Sequence, residues 1–568
     1  MQRAKSITSA DSRAESKERV AEFVAVAAVL VASLVVYAFL FNRSNVLSHS
    51  IGYNLYASER VLEGAVPYRD FHTLYPPATF YLNAALFKWL GVSLHAALLG
   101  VLVFKVLTIG VIYLTGRQVM PRAWAVTAAL SSLLWLRPNG PFKSVPMHYG
   151  ALLLALAMYF LLKYEDNQKM VRVCLAGGSL GLVVLFKHNI GVYALVGSMV
   201  LLLAEDRTLK YRFSSELTYY RRLMFLLIGC AAVIVPALVF MQLNNALAPM
   251  VRTLLFGPGE FLLSRLAAPL SPLAPLLLVA ALAVSGRALH SLRSRPAIGA
   301  GVLMVLIAAI STFLLLGDEA DVNQIIFYMP MFVLGCGLAT SVFNRSLSIT
   351  GRRALLIVFV FAAAALMELF PRFAREQSIA AMPFVMLFLF FLLYLLKPAL
   401  RELGGGMLQY RLSLAVLPLT FLLIQGRLFY DTYFDSALRF KAGAEVSIER
   451  GRGVYFPSAT AEVIDNAVEY IQQRVPVAGN AFAQSDAGTS LLFLSNRRNV
   501  SNAQFWIGVG VTLEERAATL DRIDKSQTKL IITSDEVLAA EKYEPMRDYI
   551  ERHFKPTARF DDVLVLER

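Results

Sequence analysis

GAVPYRDFHTLYPPATFYL occupies residues 64–82, where it follows the first apolar segment of the chain and opens the next. Tyr68, Phe71, Tyr75, Phe80 and Tyr81 crowd it with aromatic rings, and one acid, Asp70, stands between Arg69 and Phe71. Pro67 and the pair Pro76-Pro77 interrupt it. Proline fixes φ, removes an N–H donor and pushes the preceding residue away from helix, so the stretch is denied a continuous helix. Rings of this kind settle at the headgroup depth of a bilayer. The stretch reads as chain running along a membrane boundary, and the topology turns on whether the segment 76–91 behind it crosses.

The 568-residue chain is 57% hydrophobic, and its mean hydropathy is +0.57. Apolar runs fall at 22–42, 76–91, 95–116, 121–137, 147–163, 171–187, 190–204, 222–242, 272–291, 298–316, 326–344, 354–369, 378–397 and 407–425. Most approach the ~20 residues that cross a bilayer as a helix. This is the pattern of an α-helical polytopic membrane protein. The first run lies behind a polar leader and lacks the small-residue cleavage pattern of a signal peptide before residue 42. Cys174, Cys230 and Cys336 all fall inside apolar runs, which excludes a disulfide-stapled outer domain and zinc-site spacing. The net charge of +14 does not call for nucleic acid, because the basic residues sit in short loops between spans.

Those loops set the orientation. The leader carries Arg3, Lys5, Arg13, Lys17 and Arg19, and later basic loops hold Arg117 and Arg122, Lys163, Lys169 and Arg172, Arg207 to Arg222, Arg287 to Arg295, Arg345 to Arg353, and Lys397 with Arg401. All face the cytoplasm only if 76–91 does not cross; that run is short, begins with Pro76-Pro77 and contains Asn83 and Lys88. The expectation is about thirteen transmembrane helices. Residues 1–21 form a cytoplasmic leader, 22–425 a transmembrane domain with an outer loop at 43–94, and 426–568 an extracytoplasmic domain. In the last region, 459–475 and 544–554 have helical periodicity, and 529–533 and 563–567 read as strands, giving a small α/β domain over the outward face. It shows no glycine-rich phosphate motif and no catalytic triad.

Within the outer loop, Ile51, Leu55, Ala57, Val61 and Leu62 allow a short amphipathic helix on the membrane surface. Asp70 follows, a carboxylate at the boundary suited to act as a base or a metal ligand. An interfacial aromatic belt with proline punctuation is the plainer reading of the same residues.

The pattern G-x-x-PYRDF-x-x-x-YPP-x-x-FYL-x-A, shortly after the first membrane helix, resembles the first outer loop of the GT-C superfamily of integral-membrane glycosyltransferases. The resemblance lies nearest the lipopolysaccharide-sugar and protein O-mannosyltransferase-like branch. It extends to FKHNIGVYAL (186–195), FPRFAREQ (370–377), ERGRGVYFP (449–457) and LSNRRNVSNAQFW (494–506). Such enzymes commonly carry an acid near the start of the loop, two positions before a glycine. Here the glycine is Gly52 and Ser50 stands in the acid's place, so the resemblance passes the carboxylate role to Asp70, Glu59 or Glu63.

The resemblance implies a hexosyl- or pentosyltransferase that takes sugar from a polyprenyl phosphate in a bacterial-type cytoplasmic (inner) membrane. The acceptor is a lipid, a glycan or a protein, and nucleic acid has no part. It fixes no certain cofactor and leaves room for a divalent metal, Mg or Mn. Cations are needed on the leaving phosphate, and arginine grips phosphate bidentately. The candidates are Arg69, Lys187, His188, Arg372 and Arg375, with Tyr68, His72, Tyr75, Lys143, His148 and Glu260 on the substrate. Lys187 and His188 also end an apolar run, where snorkelling alone accounts for them. The rival class is a transporter or lipid-linked-sugar flippase. Paired broken helices in two repeats, the usual transporter signature, are not detected here. A catalytically inactive relative is the third reading, kept by Ser50.

Overall fold

A computed structural model describes residues 2–38, 41–43, 49–133, 145–208, 216–256, 334, 348–367, 381–403, 443–502, 513–541 and 543–568. Helix α1 (Gln2–Ala38) runs unbroken from the polar leader into the first apolar run, so the leader is a helical extension of the first span. Near its start Glu18 pairs with Arg122 at 2.5 Å and Glu22 with Arg117 at 3.0 Å. These arginines close α4 (Leu94–Val119) and open α5 (Arg122–Leu133). Beyond the other end of α1, the Tyr455 N–H donates to Asn42 O at 2.8 Å and Asn42 Nδ2 donates to Gly453 O at 3.0 Å. The C-terminal region therefore sits at the end of the bundle opposite Arg117 and Arg122.

The bundle continues with α6 (Val145–Asn167), α7 (Met170–Phe186), α8 (His188–Thr208), α9 (Glu216–Leu243), α10 (Leu247–Phe256), α11 (Ile349–Leu366) and α12 (Met382–Leu403). Among the described residues, four stretches, Glu15–Ala38, Leu94–Val119, Val145–Asn167 and Tyr220–Leu243, are long and apolar enough to cross a membrane. Shorter apolar stretches lie in α7, α8 and α12. The runs at 272–291, 298–316 and 407–425, and nearly all of 326–344, lie outside the described residues. Tyr164, Phe361, Phe384, Phe388 and Phe391 fill the core among α6, α7, α8, α11 and α12. At the seam of α7 and α9, a Cβ on Gly177 would strike Leu226 O, and one on Gly229 would strike Cys174 O. Lipid gives little hydrophobic drive between helices, so backbone contact of this kind is what small residues contribute.

Helix α3 (Ala78–Leu90) starts directly after Pro76-Pro77 and ends at Gly91, whose φ is 86°. Its 13 residues span about 20 Å, short of a bilayer core. Both flanks meet the C-terminal region: His72 N–H donates to Asn502 O at 3.0 Å, and Phe87 stacks on Phe493 at 6.0 Å. The segment therefore turns at the end of the bundle that carries the C-terminal region, because its prolines and its contacts keep it there.

The C-terminal region pairs β1 (Gly443–Glu445) with β2 (Tyr455–Pro457), then runs α13 (Ser458–Arg474), β3 (Asn480–Ala483), α14 (Asp486–Ser495), β4 (Arg498–Asn499), α15 (Leu513–Lys525), β5 (Leu530–Thr533), α16 (Asp535–Ala540), α17 (Glu544–His553), β6 (Lys555–Phe560) and β7 (Val563–Glu567). The five-stranded sheet has the order β4-β3-β5-β7-β6, parallel from β4 to β5 and antiparallel from β5 to β6. Side chains alternate along each strand. Ala481, Ala483, Leu530 and Ile532 face α13 and α14, while Phe482 and Ile531 face α15 and α17. The expected helices at 459–475 and 544–554 and strands at 529–533 and 563–567 are α13, α17, β5 and β7.

Candidate functional site

Between α1 and α3 the outer loop forms α2 (His49–Leu62) and a tight turn. One side of α2 is apolar against the turn: Tyr53, Ala57 and Val61 cluster with Phe71, Phe80 and Ala84. Its opposite side meets α14, where a Cβ on Gly52 would strike the Ser490 backbone. The expected lipid-facing stripe is therefore corrected. Leu55, Ala57 and Val61 are buried against protein, because α14 and the turn supply the apolar partners.

The turn is knotted by Asp70. Its carboxylate accepts from the Val66 N–H at 2.7 Å and from both arms of Arg69 at 2.8 and 2.7 Å. The Asp70 N–H reaches Val66 O at 3.0 Å, and Tyr68 N–H reaches Phe71 O at 2.8 Å with Tyr68 at φ 69°. The Arg69 fork holds the Asp70 carboxyl below the usual carboxylate range, against partial desolvation. Tyr68 is buried against Met241 and Met250, which seats the turn on the junction of α9 and α10, and its hydroxyl donates to Tyr75 O at 2.6 Å. Lys187 Nζ lies 5.3 Å from the centre of the Tyr75 ring, a cation–π distance. Asp70 and Lys187 are thus linked through Tyr68 and Tyr75.

Lys187 sits in the extended step between α7 and α8, and His188 opens α8. Gly150 of α6 lies beside the Lys187 stem, where a Cβ would sit at ordinary contact distance, 3.9 Å from the Lys187 Cβ. Two residues earlier on α6, on another side of the helix, His148 is buried with both ring nitrogens unpartnered among the described residues. Thr79 Oγ1, Asn83 Nδ2, His188 Nδ1 and Asn189 Oδ1 are likewise buried without partners. Buried polar atoms cost free energy unless paired, so a set of them at one end of a membrane bundle marks a place for polar ligand or water. Sequence reasoning missed Thr79, Asn83 and Asn189. The one available signal was polar residues inside or beside apolar runs.

The remaining acids have other work. Glu59 Oε1 and Oε2 accept from Arg450 at 2.6 and 2.9 Å, with both side chains largely buried. Burial pushes the Glu59 carboxyl up, against the pull of Arg450. Glu63 pairs with Arg60 at 2.6 Å and Arg498 at 3.5 Å. Both Glu59 oxygens are thus committed to Arg450, in an ion pair between α2 and the C-terminal region. His72 binds the C-terminal region by its backbone, and burial lowers the proton affinity of its ring. Lys143, Glu260, Arg372 and Arg375 lie outside the described residues. Among the described residues no three acids, histidines or cysteines converge on a point that could hold a metal. At the carboxyl ends of β3 and β5, Gln484, Thr533, Glu541 and Arg516 bond to one another.

Residues 75–238 match the profile of the family described as Dolichyl-phosphate-mannose-protein mannosyltransferase. That match begins at Tyr75, within the loop motif, and runs through α3 to α8 into α9. No curated protein sequence matches the chain. Among solved structures, the apo oligosaccharyltransferase of Archaeoglobus fulgidus is 14% identical with TM-score 0.49, covering 94% of this chain and 73% of its own. ArnT from Cupriavidus metallidurans bound to undecaprenyl phosphate is 14% identical with TM-score 0.45, covering 95% and 97%. AglB from Archaeoglobus fulgidus, in complex with an inhibitory peptide and a dolichol-phosphate, is 14% identical with TM-score 0.46, covering 94% and 72%.

Proposed function

We propose that this GT-C chain is an inverting glycosyltransferase of the cytoplasmic membrane, moving a sugar from a polyprenyl phosphate to a hydroxyl of a lipid, glycan or protein at the outer face. The observation that carries the reading is the Asp70 turn. It holds a carboxylate at the end of the bundle that carries the C-terminal region, linked through Tyr68 and Tyr75 to Lys187, five residues before the mannosyltransferase match begins. An amphipathic donor requires this place, with its chain in the bilayer and its phosphate and sugar at the boundary.

The reaction is a single displacement. The acceptor oxygen bonds to the anomeric carbon, the bond from that carbon to the phosphate oxygen breaks, and the lipid phosphate leaves as an anion. The acceptor proton passes to Asp70. Held low by Arg69, Asp70 is a weak base, so its larger contribution is to orient the hydroxyl and take the proton late, as the oxygen becomes positive. Lys187 and His188 face the leaving phosphate, and Arg69 adds a second cation at the turn. Charge developing on a phosphate gains most from donors fixed before the reaction. Glu63 remains an exposed ion-pair residue near the turn, and Ser50 leaves the motif's usual acid position without a carboxylate.

The orientation proposed is N-terminus in, C-terminal domain out. The Arg117, Arg122, Lys163, Lys169 and Arg172 loops then lie on the cytoplasmic side, opposite the C-terminal sheet. The described residues fit no metal cage, so no step is routed through an ion. The test is purified full-length protein with radiolabelled polyprenyl-phosphate sugars and a panel of lipid, glycan and peptide acceptors, with and without chelator. Transfer with inversion at the anomeric carbon supports the reading. Net movement of intact lipid-linked sugar across vesicles, with no transfer, supports the flippase instead.

A further inference from the structure

Helix α2 is held from both sides. The C-terminal domain touches it through Gly52 against Ser490, through the Asn499 N–H donating to Tyr56 Oη at 2.7 Å, and through Glu59 and Arg450. Its other side carries Tyr53, Ala57 and Val61 against Phe71 of the Asp70 turn and Phe80 of α3. The end of α2 also leads straight into that turn: Ala65 N–H donates to Arg60 O at 2.9 Å, and the next residue, Val66, donates to Asp70.

Arg450 is the centre of the domain's grip. Besides its two bonds to Glu59, it donates to Phe493 O at 2.8 Å and to Asn496 Oδ1 at 2.8 Å, and its guanidinium lies 5.4 Å from the Phe493 ring centre. Phe493 in turn stacks on Phe87 of α3. A planar fork that serves two acceptors on the domain and a carboxylate on α2 fixes distance and angle together, which an ammonium could not. Only Arg450 among these contacts joins α14, the end of α14 and α2 through one rigid group.

We infer that Arg450 is a positioning residue: through Glu59 it sets α2, and through α2 it sets the turn that presents Asp70. The C-terminal domain then acts as a clamp on the loop rather than as a second catalytic unit. The proposal rests on the transferase reading for its effect on turnover, but the clamp itself is read without any substrate.

The experiment uses the full-length protein in nanodiscs and hydrogen–deuterium exchange, with transfer kinetics beside it. Arg450→Gln removes the fork, while Glu59→Gln cuts only the bond to α2 and leaves Arg450 its two acceptors on the domain. Expected in Glu59→Gln is faster exchange at the Tyr68, Asp70 and His72 amides by roughly tenfold or more, with β3 and β5 amides as in the wild type. The double variant should exceed the larger single by little, because both cut one link. In transfer assays kcat should fall more than donor KM rises, since Lys187 and His188 stand outside the loosened turn and only Arg69 moves with it. Unchanged exchange at 68–72 in Glu59→Gln overturns the clamp, and so does a rise spread equally over β3 and β5, which would mean general loosening of the domain. A protein that shows the loop exchange yet transfers no sugar from any polyprenyl phosphate keeps the clamp and removes the transferase reading.

Discussion

Two carboxylates of the outer loop are driven in opposite directions, and that separates their roles. Arg69 and the Val66 N–H hold Asp70 low, whereas burial pushes Glu59 up. Asp70→Asn keeps the size and loses the charge, so transfer should fall on the order of 10²–10⁴-fold with donor binding kept. Retained turnover in that variant, measured with saturating donor, would remove Asp70 from the mechanism. The sign of its pH dependence follows from the depressed value. Its ordinary value is 3.8 and the folded value is lower, so the stability it lends is complete above 3.8 and is lost as pH falls through the folded value. The melting-temperature gap between wild type and Asp70→Asn should therefore be flat above that point and close below it. A gap that closes on going alkaline would contradict the Arg69 pairing. For Lys187, a charge-assisted contact to phosphate is worth about 1.5–3 kcal/mol, so Lys187→Met should weaken donor affinity roughly ten- to hundredfold. Equal affinity, by equilibrium binding of the labelled donor, returns Lys187 to snorkelling. Asp70 was legible in the sequence because everything that shapes it lies within four positions. The role of Glu59 was not, because Arg450 is 391 residues away.

At the scale of elements, legibility followed the range of the forces. The elements α13, α17, β5 and β7 show in the sequence because burial on one face writes its period into nearby residues. Helix α2 shows its amphipathic period just as well, but a period names a buried face and not the partner that buries it. Lipid was the expected partner and α14 is the actual one. Gly52 carries the same lesson: it reads as a motif glycine, and in the fold it is where two helices come closest. Gly52→Val should force α2 and α14 apart, at a cost of about 1–3 kcal/mol. The check is chemical unfolding of the full chain, comparing it with Gly64→Ala. Gly64 has open space but sits at φ 100°, so its penalty comes from backbone strain alone. If Gly52→Val is as stable as wild type, the two helices are not in contact.

For the whole molecule, two sets of contacts at opposite ends of α1 fix the topology without any assumption about charge. Glu18 and Glu22 bind the α4–α5 corner, and Asn42, just past the other end, binds Tyr455 and Gly453. The corner between α6 and α7 falls with the first set, because α6 begins beside the C-terminal domain, where Val145 and Tyr149 share a cluster with Leu94 and Val454. The corners hold Arg117, Arg122, Lys163, Lys169 and Arg172, and the proposal that they face the cytoplasm rests on the preference of positive loops for that side. The sequence reading drew that orientation from loop charge and the shortness of 76–91, two effects that act along the chain. The prediction follows on a background with the native cysteines replaced. Asn167→Cys at the α6–α7 corner should react with a membrane-impermeant maleimide only after the membrane is opened, and Glu462→Cys on the exposed side of α13 should react in intact cells. Both sites labelling from one side would mean that α3 crosses after all. In that case the Asp70 turn and the C-terminal domain could not share a face, and the bond between His72 and Asn502 could not form.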